Sequence, residues 1–240
     1  MPQELSERQK TILDAVIREY VATAEPVASE HVVRAYRLPH SPATVRNELL
    51  ALDEAGYLAQ PHTSAGRVPT DRGYRFFINR MAGTPQEPAA GREERAFQEI
   101  RELGDPIEFA KHTSRILAHL TRNFVIAGFP DEDLYYKSGL SEIMQEPEFT
   151  DRSLVHEFGM LLDVIEDELT RALDFSELGE PLAFIGSENP IRRARRYSMI
   201  ISTTETPFGK ESVIALVGPK RMDYAHNLAL LRHLRQMLAA

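Results

Sequence analysis

Arg46 and Asn47 stand side by side on a stretch where Val45, Leu49 and Leu52 recur at helical spacing. An arginine can lay two N–H donors on guanine O6 and N7, and an asparagine can pair with adenine N6 and N7. Ser41, Ala43 and Thr44 precede them and suit phosphate oxygens or a thymine methyl. A second cluster follows: His62, Thr63, Ser64 and Arg67 offer donors to phosphate or the minor groove. The stretch that holds it, residues 57–70, contains no acid. Both clusters have a plainer reading. Taken alone, Arg46 and Asn47 are better explained as a solvated helix face, and His62 equally well as a solvated loop histidine. The elements that carry them decide.

Ser41-Pro42 predicts a helix start, with a hydroxyl cap and proline at the first helical position. Gly56 predicts its end. Ala43, Thr44, Arg46 and Asn47 then point away from the apolar face, near the helix N-terminus. Residues 57–60 predict a short strand, the polar run 61–66 a tight turn and residues 67–69 a second strand, which together make a two-stranded wing. Upstream, Ser6 and Gln9 form a capping box, and Ile12, Leu13, Val16, Ile17, Tyr20 and Val21 give a wide apolar stripe. Residues 24–26 break that helix. Ser29 is expected to cap a short second helix that buries Val32, Val33 and Tyr36. A short helix, a turn at 37–40 and a third helix opened by Ser-Pro make a helix-turn-helix. With the wing it is a winged helix-turn-helix, a design that puts the first turns of its third helix into the DNA major groove. Thr70-Asp71 opens a fourth helix whose Tyr74, Phe76, Phe77 and Ile78 read as core, not as a platform for stacked bases.

The net charge of −8 at first argues against nucleic acid. Its distribution argues otherwise. Residues 1–83 hold ten Lys/Arg and ten Asp/Glu, so the whole acidic excess lies beyond them. Residues 31–47 hold three arginines and no acid, enough for a local cationic face on an acidic chain. The absence of cysteine excludes disulfides, thiolate metal sites and a thiol switch. No apolar stretch approaches the ~20 residues of a membrane span, and the N-terminus lacks an apolar signal core. A cytoplasmic chain with no membrane partner is expected. Phosphate-loop, nucleophile-elbow, zincin and dinucleotide glycine motifs are all missing from the sequence. His112 and His119 lack a third metal ligand. No catalytic residue, metal or cofactor is therefore expected.

Residues 81–91, MAGTPQEPAAG, read as a linker. Helical periods follow at 92–103 and 106–122, then NFVIAGF as a buried strand, a short strand at 134–137 and a short helix at 140–145. Residues 151–173 predict the longest helix, lined by Leu154, Phe158, Leu161, Ile165 and Leu169. LAFIG, RYSMIIST and ESVIALVG predict three strands, and a helix from Asp223 carries Leu228, Leu231, Leu234 and Leu238. Strands packed with helices make this part α+β. The expected domains are a winged helix-turn-helix over 1–83, a linker and helix start over 84–105, and an α+β domain over 106–240. Two helices with apolar faces wider than one small sheet needs to cover point to dimerisation through residues 151–240. Arg192, Arg193, Arg195 and Arg196 read either as a second phosphate contact or, preferably, as a solvated charge run.

LSERQKTILDAVIREYVATAEPVAS followed by SPATVRNELLALDEAGYLAQPHTSAGRVPTDRGYRFFI closely resembles the N-terminus of the bacterial heat-inducible transcription repressors, the HrcA family. GYLAQPHTSAGRVPTDRGYRF is the most specific part. IGSENPIRR, ALVGPKRMDYAHNLALL and, more weakly, YYKSGLSEIMQEPEF resemble the family's second half. The resemblance implies a dimer that represses chaperone operons by binding an inverted-repeat operator called CIRCE. It also implies that the GroE chaperonin keeps the repressor active, and that the second domain is GAF-like. This sequence departs from the family by passing almost directly from NFVIAGF to DLYYKSGL, where the related repressors carry more strands and an inserted dimerisation domain. A reduced GAF-like domain is expected. From the residues alone two other classes stay open. One is a ligand-gated one-component regulator with the second domain as sensor. The other is a protein-interaction module with a degenerate winged helix.

Overall fold

The computed structural model describes residues 4–81, 91–172 and 180–239. The linker expected at 81–91 lies almost wholly outside these residues. The chain divides into two units, Met1–Thr84 and Pro85–Ala240.

In the first unit, α1 (Glu7–Thr23) opens on the capping box. Ser6 Oγ accepts the Gln9 N–H, and the Gln9 side chain accepts the Ser6 N–H at 3.0 Å. Ile12, Leu13, Val16 and Ile17 are buried, and Ala24 ends the helix in the left-handed region. α2 (Ser29–Ala35) corrects one expectation, because Ala28 holds the cap position and Ser29 lies inside the helix. Only Val32 of its apolar trio is buried, while Val33 and Tyr36 are half-buried. Adjacent helical residues point about 100° apart, so Val32 and Val33 cannot both face one core. α3 (Pro42–Glu54) buries Val45, Leu49 and Leu52. β1 (Leu58–Ala59) and β2 (Val68–Pro69) pair antiparallel, with Leu58 opposite Pro69 and Ala59 opposite Val68. α4 (Asp71–Met81) buries Tyr74, Phe77 and Ile78. Thr70 caps it, since its Oγ1 accepts the Gly73 N–H at 3.1 Å while donating to Gly56 O at 2.7 Å. That single hydroxyl ties the start of α4 to the end of α3.

The second unit is α+β, as expected. α5 (Arg92–Arg101) and α6 (Pro106–Thr121) lead into β3 (Phe124–Phe129) and β4 (Leu134–Ser138). A short α7 (Leu140–Ile143), α8 (Arg152–Leu162) and α9 (Ile165–Ala172) come next. β5 (Leu182–Ile185), β6 (Ser198–Glu205), β7 (Glu211–Gly218) and α10 (Tyr224–Ala239) complete it. The five strands form one antiparallel sheet in the order β4-β3-β7-β6-β5. The short passage from NFVIAGF to DLYYKSGL is a β-hairpin, turned by Pro130–Glu132 and by Asp133 in the left-handed region.

Alternation along the strands divides the core. Phe124, Ile126, Met199, Ile201, Val213, Ala215 and Val217 pack with Leu154, Phe158, Leu161, Ile165 and Leu169. On the opposite face Phe129 meets Phe109 of α6, ring centroids 6.0 Å apart, and Ser198 Oγ meets the Tyr224 hydroxyl of α10 at 2.6 Å. Two expectations change here. The helix predicted over 151–173 is two helices, interrupted at Asp163 and Val164, where the Val164 N–H bonds to Leu161 O. The apolar stripe runs on through the interruption. The two helices also leave little apolar surface over, because α10 buries Leu228, Leu231, Leu234 and Leu238 and α8 buries Leu154, Phe158 and Leu161. What α8 leaves out is Val155 and Met160, 36% and 41% exposed.

Candidate nucleic-acid interface

Ser41 fixes the start of α3: its Oγ accepts the Thr44 N–H at 3.1 Å and lies 2.9 Å from Thr44 Oγ1. One hydroxyl hydrogen of the pair is used in that mutual bond, and the other remains to donate. Ser41, Ala43, Arg46 and Asn47 are exposed and Thr44 is half-buried, while Val45 and Leu49 between them are buried. The helical period alone produces this separation. Arg46 meets no carboxylate among the described residues. Glu48, the acid nearest in sequence, is held by an ion pair with Arg8 of α1.

His31 and Tyr36, from the acid-free run, turn towards α1 instead. His31 Nε2 lies 2.6 Å from Glu19 Oε1, and burial beside Glu19 pushes the Tyr36 hydroxyl above its ordinary pKa.

The wing presents His62, Thr63 and Ser64 exposed at its tip. The Ala65 N–H donates to His62 O at 2.9 Å, and the Gln60 amide donates to Thr63 O at 3.1 Å and Ala65 O at 3.0 Å. Three side chains that can contact DNA thus sit on a turn tied from inside. Between α3 and the wing runs a groove of about 320 Å³, with Ser29, Arg46, Leu50, Gln60, Thr63 and Ser64 among its lining residues.

Arg67 departs from the expectation of a phosphate-facing side chain. It is 8% exposed, and its Nε lies 2.8 Å from Asp53 Oδ2 of α3, a close approach that is not aligned as a hydrogen bond. Its backbone is engaged too: the Val27 N–H donates to Arg67 O and the Arg67 N–H to Val27 O, each at 2.9 Å. The apolar pattern could not reveal this, because Asp53 and Arg67 come together only when the wing folds back on α3.

Several lining residues lie outside the contact set predicted from the sequence, among them Ser29, Leu50 and Gln60. Ser29 looked like a cap, and the shift of the cap to Ala28 leaves it beside the groove. Leu50 is 45% exposed. Its position three residues after Asn47 and off the Val45-Leu49-Leu52 stripe was a readable signal. Gln60 carried none.

The arginine run of the second unit is exposed, as a solvated charge run would be, and three of its members bond within the unit. Arg193 Nη1 donates to Met160 O at 3.2 Å and Arg195 Nε to Asn189 O at 3.3 Å, and Arg196 Nη1 donates to Glu157 at 2.8 Å. Among the described residues no group of three His, Asp or Glu side chains is placed to hold a metal ion, and no helix is long and apolar enough to cross a membrane.

Three helices, a capped third helix with a polar outer face and a two-stranded wing define a winged helix-turn-helix protein, here followed by an α+β unit. Residues 4–82 match the family described as "Winged helix-turn-helix transcription repressor, HrcA DNA-binding", and residues 74–227 match "HrcA protein C terminal domain". The chain belongs to the HrcA family. It is 46% identical over 127 residues to the heat-inducible transcription repressor HrcA of Streptomyces avermitilis, a match that covers 52% of this chain and 37% of that protein. The HrcA of Chloroflexus aggregans is 49% identical over 141 residues, covering 58% of this chain and 37% of that protein. The match thus spans well under half the length of these curated relatives. A crystal structure of a hypothetical protein at 2.2 Å resolution shares the fold, with a TM-score of 0.80 at 19% identity over 98% of each chain.

Proposed function

We propose that this chain is a sequence-specific, DNA-binding transcriptional repressor of heat-shock genes. One observation carries the proposal: Arg46 and Asn47 stand exposed on the helix whose opposite side is the core of the unit, next to a wing whose tip holds no acid. Membership of a family whose curated relatives are heat-inducible transcription repressors supports it.

In this reading α3 enters the major groove, with Arg46 on a guanine edge and Asn47 on an adenine edge. Ser41, Ala43 and Thr44 line the phosphates at the helix start, and His62, Thr63 and Ser64 meet the adjoining backbone or minor groove. Residues 1–83 are the DNA-binding domain, and residues 106–240 hold a second copy so that two α3 helices meet an inverted repeat of the CIRCE type. The partners are then double-stranded DNA, a second copy of the chain and, by the family resemblance, the GroE chaperonin. The setting is cytoplasmic, and the reading includes no catalysis and no cofactor.

A footprint of the purified chain on the chaperone promoters of its own genome tests this. Protection of two half-sites related by a two-fold axis is expected. Equal affinity for promoter and scrambled duplex, without a footprint, would refute it. Adding GroE chaperonin after mild heating should raise the fraction competent to bind.

A further inference from the structure

We propose that Arg67 and Asp53 are a positioning pair that fixes the wing against α3, and that Arg67 itself touches no phosphate. The proposal rests on the DNA-binding reading above.

An arginine that meets phosphate needs an exposed head with no competing carboxylate. Arg46 has that setting and Arg67 does not. Arg67 is 8% exposed, with Asp53 Oδ2 at 2.8 Å. Its N–H and C=O are both spent on Val27, at 2.9 Å each way. Gly66 makes that approach possible, because a Cβ at this position would run into the Val27 backbone. The returning limb of the wing is therefore clipped at two points, to the loop before α2 by backbone and to α3 by the ion pair. The Gln60 amide holds the tip in one shape. Drawing Arg67 out to a phosphate would break the ion pair and leave Asp53 unpaired beside the DNA. Left in place, the pair sets the distance between the wing tip and the Arg46-Asn47 face, which is the distance a duplex would have to match.

Asp53→Asn gives the two views opposite signs. If charge alone matters, removing an acid next to DNA strengthens binding. If the pair positions the wing, binding weakens by roughly tenfold, the order seen when partners supporting a ligand-binding group are removed. The probe is a duplex that the wild-type full chain selects from a random-sequence library, titrated across a salt series.

Arg67→Ala should weaken binding without changing the salt slope, because the wing tip contributes no fixed cation; a phosphate contact would lower that slope by about one unit. The double variant should bind no more weakly than Arg67→Ala alone. Backbone protections from the wing should fade while those from α3 remain, with affinities corrected for the folded fraction. Without DNA, amide exchange at Val27, Ala65 and Arg67 should quicken in Asp53→Asn while the α1 and α3 cores stay protected. Tighter binding by Asp53→Asn, a lower slope in Arg67→Ala or unchanged exchange would each overturn the proposal. A wild-type chain that selects no duplex would instead refute the DNA-binding reading, and the exchange measurement would still decide the anchor.

Discussion

Arg46 and Arg67 carry the same charge in opposite surroundings, one exposed on the outer face of α3 and one buried against Asp53. Arg46→Ala is expected to cost about 1–3 kcal/mol on the operator and to relax preference at one base pair. Titration against operator and scrambled duplexes checks this, and an equal loss on both would mean that α3 does not read bases. Asp14 on α1 gives a residue-scale prediction about stability. Burial raises its carboxyl above the ordinary pKa, and Arg80 and Arg18 offset that only in part. A raised carboxyl favours the folded state below its unfolded pKa and loses that advantage as pH rises through the folded pKa. Asp14→Asn should therefore melt higher than wild type at neutral pH, with the gap closing as pH falls through the carboxylate range. A gap that widens in acid would show that the Arg80 pairing dominates.

At the scale of the element, the wing and the segment after β7 each depend on a residue with little freedom to change. Gly66→Ala would drive a methyl group into the Val27 backbone, a clash of the kind that costs about 1–3 kcal/mol. Chemical denaturation should register that loss, and DNA affinity should fall further than the loss of folded chain explains. In the second unit Arg221, just after β7, grips both Glu148 and Glu146, with its Nε 2.7 Å from Glu148. Arg221→Ala leaves Glu148 without this cation and Glu146 with only Arg122, 3.8 Å away, at an expected cost of about 3 kcal/mol, near the lower end for a broken buried pair. A loss well under 1 kcal/mol would mean that water satisfies the pair unaided.

For the whole molecule, the sheet accounts for most of the apolar surface that had argued for a dimer. α10 and α8 spend their leucines on its two faces, and Val155 and Met160 on α8 remain exposed. The case for a dimer now rests on the inverted-repeat operator proposed above: a winged helix with one small reading face would gain specificity by presenting it twice. Sedimentation of the intact chain at micromolar concentration should give a dimer. Changing the half-site spacing by half a helical turn should weaken binding more than changing it by a full turn. A monomer that binds single half-sites and repeats equally well would remove the dimer from the proposed function.

Much of this was legible in the sequence because it is local. The Ser6 capping box, the Ser41-Pro42 start of α3, the Gly56 stop and the period that separates Arg46 and Asn47 from Val45 and Leu49 depend on residues within a few turns of one another. Such patterns are set by backbone geometry before any tertiary contact forms. The same holds for β3, β6 and β7, whose apolar runs lie buried on both faces. The tertiary structure decided what depends on partners far away in sequence. It spent Arg67 on Asp53, turned His31 to Glu19, folded Arg193 and Arg196 back onto α8, and broke residues 151–173 into two helices along one continuous stripe. An arginine reads the same in a sequence whether its head meets solvent or a carboxylate brought in by the fold. Composition could place positive charge on this unit, but only packing settled which of its arginines stayed free to meet a ligand.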